Sequence, residues 1–187
     1  MLTDDVKLVL AYIFLPVSGM TCFEINILIM NMQMREIEIK TIKDFSPSLI
    51  ENIKKLEIEN LGKDAAINEW QIPVIIRYGK FIVAQLKKSG KIIGACEILR
   101  EWKEARIAFI HSFYICSGYR AQGIGKKLLK DTLDILRDEN FEQVELTVDA
   151  ENKEALELYE GFGFEVREVR LDEYGAGINR TLMVLKF

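Results

Sequence analysis

The sequence predicts an α/β (α+β) fold in one main domain, with a sheet flanked by helices. Its 187 residues are close to the length of about 150 expected for a single domain. The chain is 49% hydrophobic and 29% charged, which is typical of a globular protein. Segments with a two-residue apolar period alternate with segments of helical period in the order βααβββαβαββ.

The first half of the domain is predicted to contain a strand, two helices and three more strands. Alternating apolar and polar residues over 35–43 predict the first strand. Ser46 before Pro47 is typical of a helix start, and Gly62 ends that helix. The remaining elements are an irregular helical stretch at 64–79, broken at Pro73, and strands at 81–86, 91–99 and 106–116.

The second half begins with the strongest amphipathic pattern in the chain. A helix is predicted from Gly123 to about Glu139, because apolar residues recur there on one face. The elements after it are a strand at 144–148, a helix at 152–162, and strands at 164–171 and 181–187.

Composition excludes several classes of protein. The formal net charge of −4 is not the basic charge typical of nucleic-acid-binding proteins, so no nucleic-acid partner is expected. The cysteines Cys22, Cys96 and Cys116 are odd in number and widely spaced, which indicates a reducing, cytoplasmic location. His111 is the only histidine and has no cysteine or histidine at short spacing, so no metal site is expected.

Residues 1–34 form an apolar extension of uncertain role that precedes the domain at 35–187. Asp4 and Asp5 argue against a secretory signal, and Pro16 and Glu24 interrupt any spanning helix. Three interpretations stay open. The extension is a structured element that packs on the domain or pairs with a partner chain in a homodimer, or it precedes a protein start at Met30, Met32 or Met34. The third interpretation is a contact with a membrane, although we expect the protein to have no membrane partner.

A glycine-bearing turn between a strand and a helix is the most informative motif. Gly123 and Gly125 permit close approach of a ligand to the backbone, and the helix start after them suits phosphate. Arg120 and Lys126 add positive charge. Known nucleotide motifs do not match, because Ile124 stands where a P-loop needs lysine and the third glycine of a dinucleotide-binding turn is missing. A purely structural turn is the alternative.

A second cluster follows at Asn152, Ala155, Tyr159, Gly163 and Phe164. Asn152 is equally explained as a helix N-cap, and Tyr159 as a core aromatic.

Together the two clusters resemble the GNAT superfamily of acetyl-CoA-dependent N-acetyltransferases. The resemblance covers about Arg35 to Phe187 and depends on the Arg-x-x-Gly-x-Gly turn with asparagine, tyrosine and Gly-Phe downstream. It implies a mixed, largely antiparallel twisted sheet that is splayed between its fourth and fifth strands, with coenzyme A in the gap. It also implies a transferase that moves an acetyl group from acetyl-CoA to a primary amine of a small molecule or protein.

The same resemblance implies the cofactor-binding residues. Backbone groups of the fourth strand would pair with the pantetheine arm, backbone amides of the turn would hold the pyrophosphate, and Asn152 and Tyr159 would contact the arm and the thioester sulfur. The strand residues are Phe113, Tyr114 and Ile115, and the backbone amides are those of Gln122, Gly123, Ile124, Gly125 and Lys126. Arg120 is a further cofactor-binding candidate through its positive charge.

A protonated amine needs a base before it can attack a thioester. His111 has a suitable intrinsic pKa, stands where many family members carry glutamate, and by alternation shares a face with Phe113 and Ile115. A structural histidine is the alternative, and Glu97, Glu173 and Tyr174 are rival bases. Direct attack in a ternary complex is favoured, because no nucleophilic dyad or triad is evident. A catalytically weak acyl-CoA-binding module that regulates a partner, and a structural dimer subunit, are the competing functions.

Overall fold

The structure is a computed structural model that describes residue 21 and residues 34–187. Glu36–Phe187 form one compact unit. The interpretations given for the apolar extension concern residues that lie, with the exceptions of Thr21 and Met34, outside the described residues. In the part that is described, no helix is both long and apolar enough to cross a membrane.

Seven strands form one mixed sheet in the order β1-β2-β3-β4-β5-β7-β6. Neighbouring strands are antiparallel except β4 and β5, which run parallel. This architecture confirms the predicted fold class. The strands are β1 (Ile37–Ile42), β2 (Lys80–Leu86), β3 (Ile92–Arg100), β4 (Ile107–Ile115), β5 (Gln143–Val148), β6 (Glu165–Arg170) and β7 (Arg180–Lys186).

Four helices of the described residues flank the sheet, in the predicted order. They are α1 (Pro47–Leu61), α2 (Gln71–Tyr78), α3 (Ile124–Asp138) and α4 (Lys153–Glu160), with a 3₁₀ turn at Ser117–Tyr119 before α3. The start of α1 confirms the capping signal, because the Ser46 hydroxyl accepts the Leu49 N–H at 3.2 Å. This bond satisfies one of the N–H groups that lack a partner within the helix.

The prediction for 64–79 is wrong in both its start and its break. Helix α2 begins only at Gln71, where the Asn68 amide oxygen accepts the Gln71 N–H at 3.2 Å. Pro73 lies in the first turn and leaves the helix intact. Proline is tolerated there because N–H groups of the first turn have no acceptor within the helix.

The helices cover both faces of the sheet. The face that carries Ala95 and Tyr114 packs against α1 and α2 in a core with Ile53 and Ile72. The opposite face receives α3, whose buried side consists of Ile124, Leu128, Leu129, Thr132, Leu133 and Leu136. The central strands β3 and β4 are therefore enclosed on both sides, and their ends are held rigidly.

The close approach of β3 to the end of β4 generates a stability prediction at Gly94. A Cβ atom there would lie 2.8 Å from the Tyr114 carbonyl oxygen and 2.5 Å from the Ile115 Cδ1. Because a paired backbone oxygen cannot move freely, we expect Gly94→Ala to lower the free energy of unfolding by about 1–3 kcal/mol. Urea denaturation measures this change. Gly118→Ala is the matched control, since no atom lies within 4 Å of its added Cβ; equal unfolding midpoints for the two variants would contradict the packing argument.

Candidate functional site

The parallel strands β4 and β5 separate halfway along β4. Their pairing runs from Ile107 opposite Gln143 to Ile110 opposite Leu146 and stops there. Residues 111–115 of β4 continue without a partner on β5. This confirms the predicted splay. An unpaired strand edge presents N–H and C=O groups that an extended ligand can bind.

A β-bulge coincides with the point of separation. Glu97 of β3 pairs with Ser112, whereas Ile98 pairs with Ile110, so His111 is the extra residue of β4. Bulges of this kind re-aim side chains and are frequent beside active sites. The bulge interrupts the alternation from which we expected His111 to share a face with Phe113 and Ile115. That periodicity argument does not extend through His111.

The His111 side chain combines solvent contact with partial burial. The residue is exposed at the surface, yet the loss of part of its hydration lowers its pKa from the usual value of 6.5. Desolvation has this direction for histidine because it disfavours the charged imidazolium. The imidazole is therefore neutral at pH 7 and able to accept a proton.

The glycine-bearing turn leads into an uncapped helix N-terminus. Gly123 has φ +78° at the N-cap of α3, and no side chain caps the helix. The first N–H groups of this 15-residue helix are thus free of a side-chain acceptor, and they add to the positive end of the helix dipole. A Cβ on Gly125 would lie 3.7 Å from Ile115 and 4.0 Å from Phe113. These are ordinary van der Waals distances, and they show that α3 begins beside the unpaired end of β4.

Arg120 serves the protein's own backbone. Its Nε donates to the Ile115 carbonyl at 2.8 Å, and its guanidinium reaches the Asn60 side chain of α1 at 3.5 Å. Gln122 likewise donates from its side chain to the Gly118 carbonyl at 3.2 Å. Both side chains thus brace the turn from within the protein, and Lys126 is exposed beside it.

Helix α4 places Tyr159 against β4. Its ring makes an edge-to-face contact with Phe113 at 6.2 Å and a tilted contact with Phe164 at 5.7 Å. The core-aromatic interpretation is therefore confirmed for the ring. The hydroxyl makes no hydrogen bond with another described residue, and burial raises its pKa, so the phenol stays protonated. Asn152 is the N-cap of α4, since its side chain accepts the Ala155 N–H at 3.1 Å.

Glu97 does not lie where a base in contact with substrate must lie. It is fully buried on the face covered by α1, close to a second buried carboxyl, Glu57. Burial and the Glu57 carboxylate raise the pKa of Glu97 to about 9, and burial raises that of Glu57. The sequence analysis missed Glu57. Its spacing of four residues from buried Ile53 was the available signal.

The loop between β6 and β7 closes the β5 side of the gap. The Tyr174 hydroxyl and the Thr147 hydroxyl are 3.0 Å apart, and Thr147 lies on β5 beyond its last pair with β4. The Arg180 guanidinium covers the Tyr174 ring at 5.8 Å. Glu173, which the sequence analysis named as a rival base to His111, forms an ion pair with Arg170 at 3.1 Å. Thr147 is a second residue of the site that the sequence analysis missed.

The gap has chemistry suited to a thin, extended ligand with an anionic end. One wall is a bare strand edge, and the end of the gap is a positive helix terminus. Within the described part of the chain, no group of three or more histidine, cysteine or acidic residues is arranged to hold a metal ion.

Curated relatives share part of this sequence. An uncharacterised N-acetyltransferase of Methanocaldococcus jannaschii is 31% identical over 83 residues, which are 44% of this chain and 37% of that protein. N-alpha-acetyltransferase 30 of Saccharomyces cerevisiae is 38% identical over 66 residues, which are 35% of this chain and 37% of that protein. The chain thus matches less than two-fifths of the length of either relative.

Solved structures share the fold over most of the chain. The NatC complex bound to Gag peptide and CoA has a subunit that superposes with a TM-score of 0.68 at 24% identity, over 81% of this chain and 99% of that one. A GNAT family acetyltransferase of Elizabethkingia anophelis with acetyl-CoA bound gives 0.62 at 17% identity, over 81% and 99%. The model of the acetyltransferase (GNAT) family matches residues 48–164, which include the bulge, the turn and Tyr159. The chain therefore belongs to the acetyltransferase (GNAT) family.

Proposed function

We propose that this protein transfers an acetyl group from acetyl-CoA to a primary amine, by direct attack in a ternary complex. The observation that carries the proposal is the gap between β4 and β5, which ends at the uncapped N-terminus of α3. The gap offers strand pairing to an amide-bearing arm and N–H donors to a pyrophosphate, the two features that coenzyme A presents in series.

The residues present fit acetyl-CoA. The edge of Phe113, Tyr114 and Ile115, apart from the Ile115 carbonyl that accepts from Arg120, would pair with the pantetheine amides, and backbone amides from Gln122 to Lys126 would bind the pyrophosphate. Bound there, acetyl-CoA supplies an activated thioester carbonyl. Asn152 at the start of α4 lies in the element that also carries Tyr159 and would contact the arm.

The chemical steps need a base, oxyanion donors and an acid. His111, neutral at pH 7, takes a proton from the ammonium so that the amine can attack the carbonyl. A free backbone N–H near Phe113 stabilises the oxyanion. As the C–S bond breaks, the protonated Tyr159 hydroxyl would give its proton to the leaving thiolate, and the nitrogen would lose its second proton, which restores the Tyr159 hydroxyl. No covalent enzyme intermediate is required.

The acceptor side of the gap favours an amine whose neighbouring groups accept or donate hydrogen bonds. The Tyr174 and Thr147 hydroxyls stand at that side, and the Tyr174 side chain is half exposed. Relatives are named N-alpha-acetyltransferase 30 in Saccharomyces cerevisiae and thialysine N-epsilon-acetyltransferase in Bos taurus. A peptide N-terminus and a lysine-like small molecule are both acceptors of this class. The cytoplasmic location and the homodimer remain predictions.

Released thiol, measured with acetyl-CoA and a panel of N-terminal peptides and small amines, tests the function. We expect turnover with at least one acceptor, and Tyr159→Phe should lower kcat about 10²-fold while acetyl-CoA affinity stays nearly unchanged. A thermal melt of the variant controls for lost stability. Acetyl-CoA binding without turnover by the wild type would instead favour the regulatory acyl-CoA-binding module.

His111→Gln keeps a hydrogen-bonding side chain and removes the base. Because desolvation lowers the pKa of His111, the wild-type kcat/KM should fall as the pH drops below about 6.5. We expect the variant to lose that limb and about 10²-fold in rate. With an acceptor amine of lower pKa, we expect the rates of the wild type and of His111→Gln to differ less. An unchanged pH profile with a near-normal rate would remove His111 from the mechanism.

Gly123→Val tests the anion site. The left-handed backbone at φ +78° disfavours a branched side chain by about 1–2 kcal/mol, but the protein leaves 4 Å of open space around the new Cβ. We expect a large loss of acetyl-CoA affinity in calorimetric titration, because the side chain projects where the pyrophosphate must approach. Gly90→Val, at φ +67° in the β2–β3 hairpin and equally open, carries similar strain. It should keep its affinity, and equal affinities of the two variants would refute the placement.

A further inference from the structure

Strand β6 ends the sheet, and its outer edge is open. It pairs with β7 on one side, and in the described part of the chain no strand pairs with its other side. The free N–H and C=O groups of an edge strand are a template for a further strand, and many proteins prevent such pairing with lysine or proline. Residues 164–171 contain neither. The edge therefore lacks a common protection against pairing.

This edge also exposes apolar side chains. Val166 and Val169 of β6 are 56% and 60% exposed, and Leu171, directly after the strand, is 72% exposed. Single apolar residues on a surface are ordinary, but a contiguous group of them is typical of an interaction site. The arrangement of these three residues therefore decides whether they form a surface.

A β-bulge places the two valines on one face. Val166 lies opposite Met183 and Val169 opposite Thr181, and residues 181 and 183 of β7 share a face by alternation. In a regular strand, residues three positions apart project from opposite faces. Here Arg167 is an extra residue between them. The same register places three charged residues on the other face, which are Glu165, Glu168 and Arg170.

The sequence of β6 is complementary to its own reverse. It reads Glu-Val-Arg-Glu-Val-Arg over residues 165–170. When a second copy is aligned antiparallel about an axis between Arg167 and Glu168, each glutamate lies opposite an arginine and each valine opposite a valine. The pairs are Glu165 with Arg170, Val166 with Val169, and Arg167 with Glu168.

The bulge makes this alignment possible in three dimensions. Directly opposite residues of an antiparallel pair must project from the same face. Val166 and Val169 satisfy this condition on one face, and Glu165 and Arg170 satisfy it on the other. Without the extra residue, each of these pairs would project from opposite faces. In the paired strands the two bulges meet at the axis, so neither strand is longer than the other.

The charges of β6 favour a second copy over an unrelated strand. Glu165 has no ion-pair partner among the described residues. Arg170 contacts Glu168 at 2.9 Å and Glu173 at 3.1 Å on its own chain, but a guanidinium has five N–H donors and can bind a further carboxylate. Opposite charges directly across a strand pair stabilise it, whereas like charges destabilise it.

We propose that two copies of this protein associate through their β6 strands, antiparallel about a twofold axis, and join their two seven-stranded sheets into one. The contact is isologous, since each copy presents the same residues. A single pair of short strands forms a small interface, so the dimer should dissociate at about micromolar concentration. The dimer does not require the proposed acetyl transfer and is tested without substrate.

Sedimentation velocity of the full chain from about 1 µM to about 200 µM tests the pairing. We expect a dimer that dissociates on dilution. Glu165→Arg places arginine opposite Arg170 of the second copy at two symmetric positions, and Arg170→Glu likewise places glutamate opposite Glu165. Each variant alone should raise the dissociation constant by at least about tenfold.

An equimolar mixture of the two variants provides the decisive measurement. In a dimer with one copy of each, every like-charged pair becomes an opposite-charged pair, so we expect the dissociation constant to return close to that of the wild type. Misfolded variants could not restore association in this way. A wild type that stays monomeric to 200 µM would overturn the proposal. A dimer that neither variant weakens, for example one held by residues 1–34, would also overturn it, as would a mixture that stays dissociated.

Val166→Lys and Val74→Lys form a matched pair of apolar-to-charged changes. Val74 is 53% exposed, close to the value for Val166, but it lies on α2. We expect Val166→Lys to weaken the dimer by at least about tenfold, because lysine on an edge strand opposes pairing, and Val74→Lys to leave it unchanged. Thermal melts confirm that both variants are folded. Equal dissociation constants for the two variants would show that β6 is not the interface.

Discussion

The separation of β4 from β5 is the constraint on which the rest of the site depends. After Ile110 the backbone groups of β4 that would pair with β5 have no strand partner. Such groups are tolerated at the centre of a sheet only where solvent or a ligand satisfies them. Antiparallel pairing with β3 and helices on both faces keep β4 in place although its other edge is open. The open edge is thus built into a rigid core.

Contacts at the end of β4 determine what lies at the end of the gap. Gly94 lets β3 lie against the Tyr114 carbonyl, and Gly125 lies at the start of α3 within van der Waals distance of Ile115. The Arg120 guanidinium then satisfies the Ile115 carbonyl, the last one of β4. These three contacts place a helix N-terminus at the end of an unpaired strand. Neither element alone would present both an open strand edge and a positive helix terminus.

Local signals predicted the elements, and tertiary packing decided what they missed. The cap at Ser46 and the apolar stripe of α3 depend only on neighbouring residues, and the structure confirms both. Pro73 was misjudged because its tolerance depends on where the helix starts, which Asn68 determines. Glu57 was missed because glutamate in a helix is usually solvated, and only its contact with Glu97 on a distant strand makes it exceptional. Motif spacing located the turn, but could not show that the Arg120 charge is used internally.

The β-bulge at His111 changes the face of the sheet from which the following side chains of β4 project. Without an extra residue, the side chains of Ile110 and Ser112 would project from the same face. The bulge places Ile110 opposite Ile98 and Ser112 opposite Glu97, so the two project from different faces. The apolar face before the bulge packs in the core, and the polar face after it meets the buried carboxyls. His111 lies at the change, beside the last residue that pairs with β5. A single inserted residue therefore brings the exposed imidazole, the open strand edge and the buried carboxyl of Glu97 to neighbouring positions of the sheet.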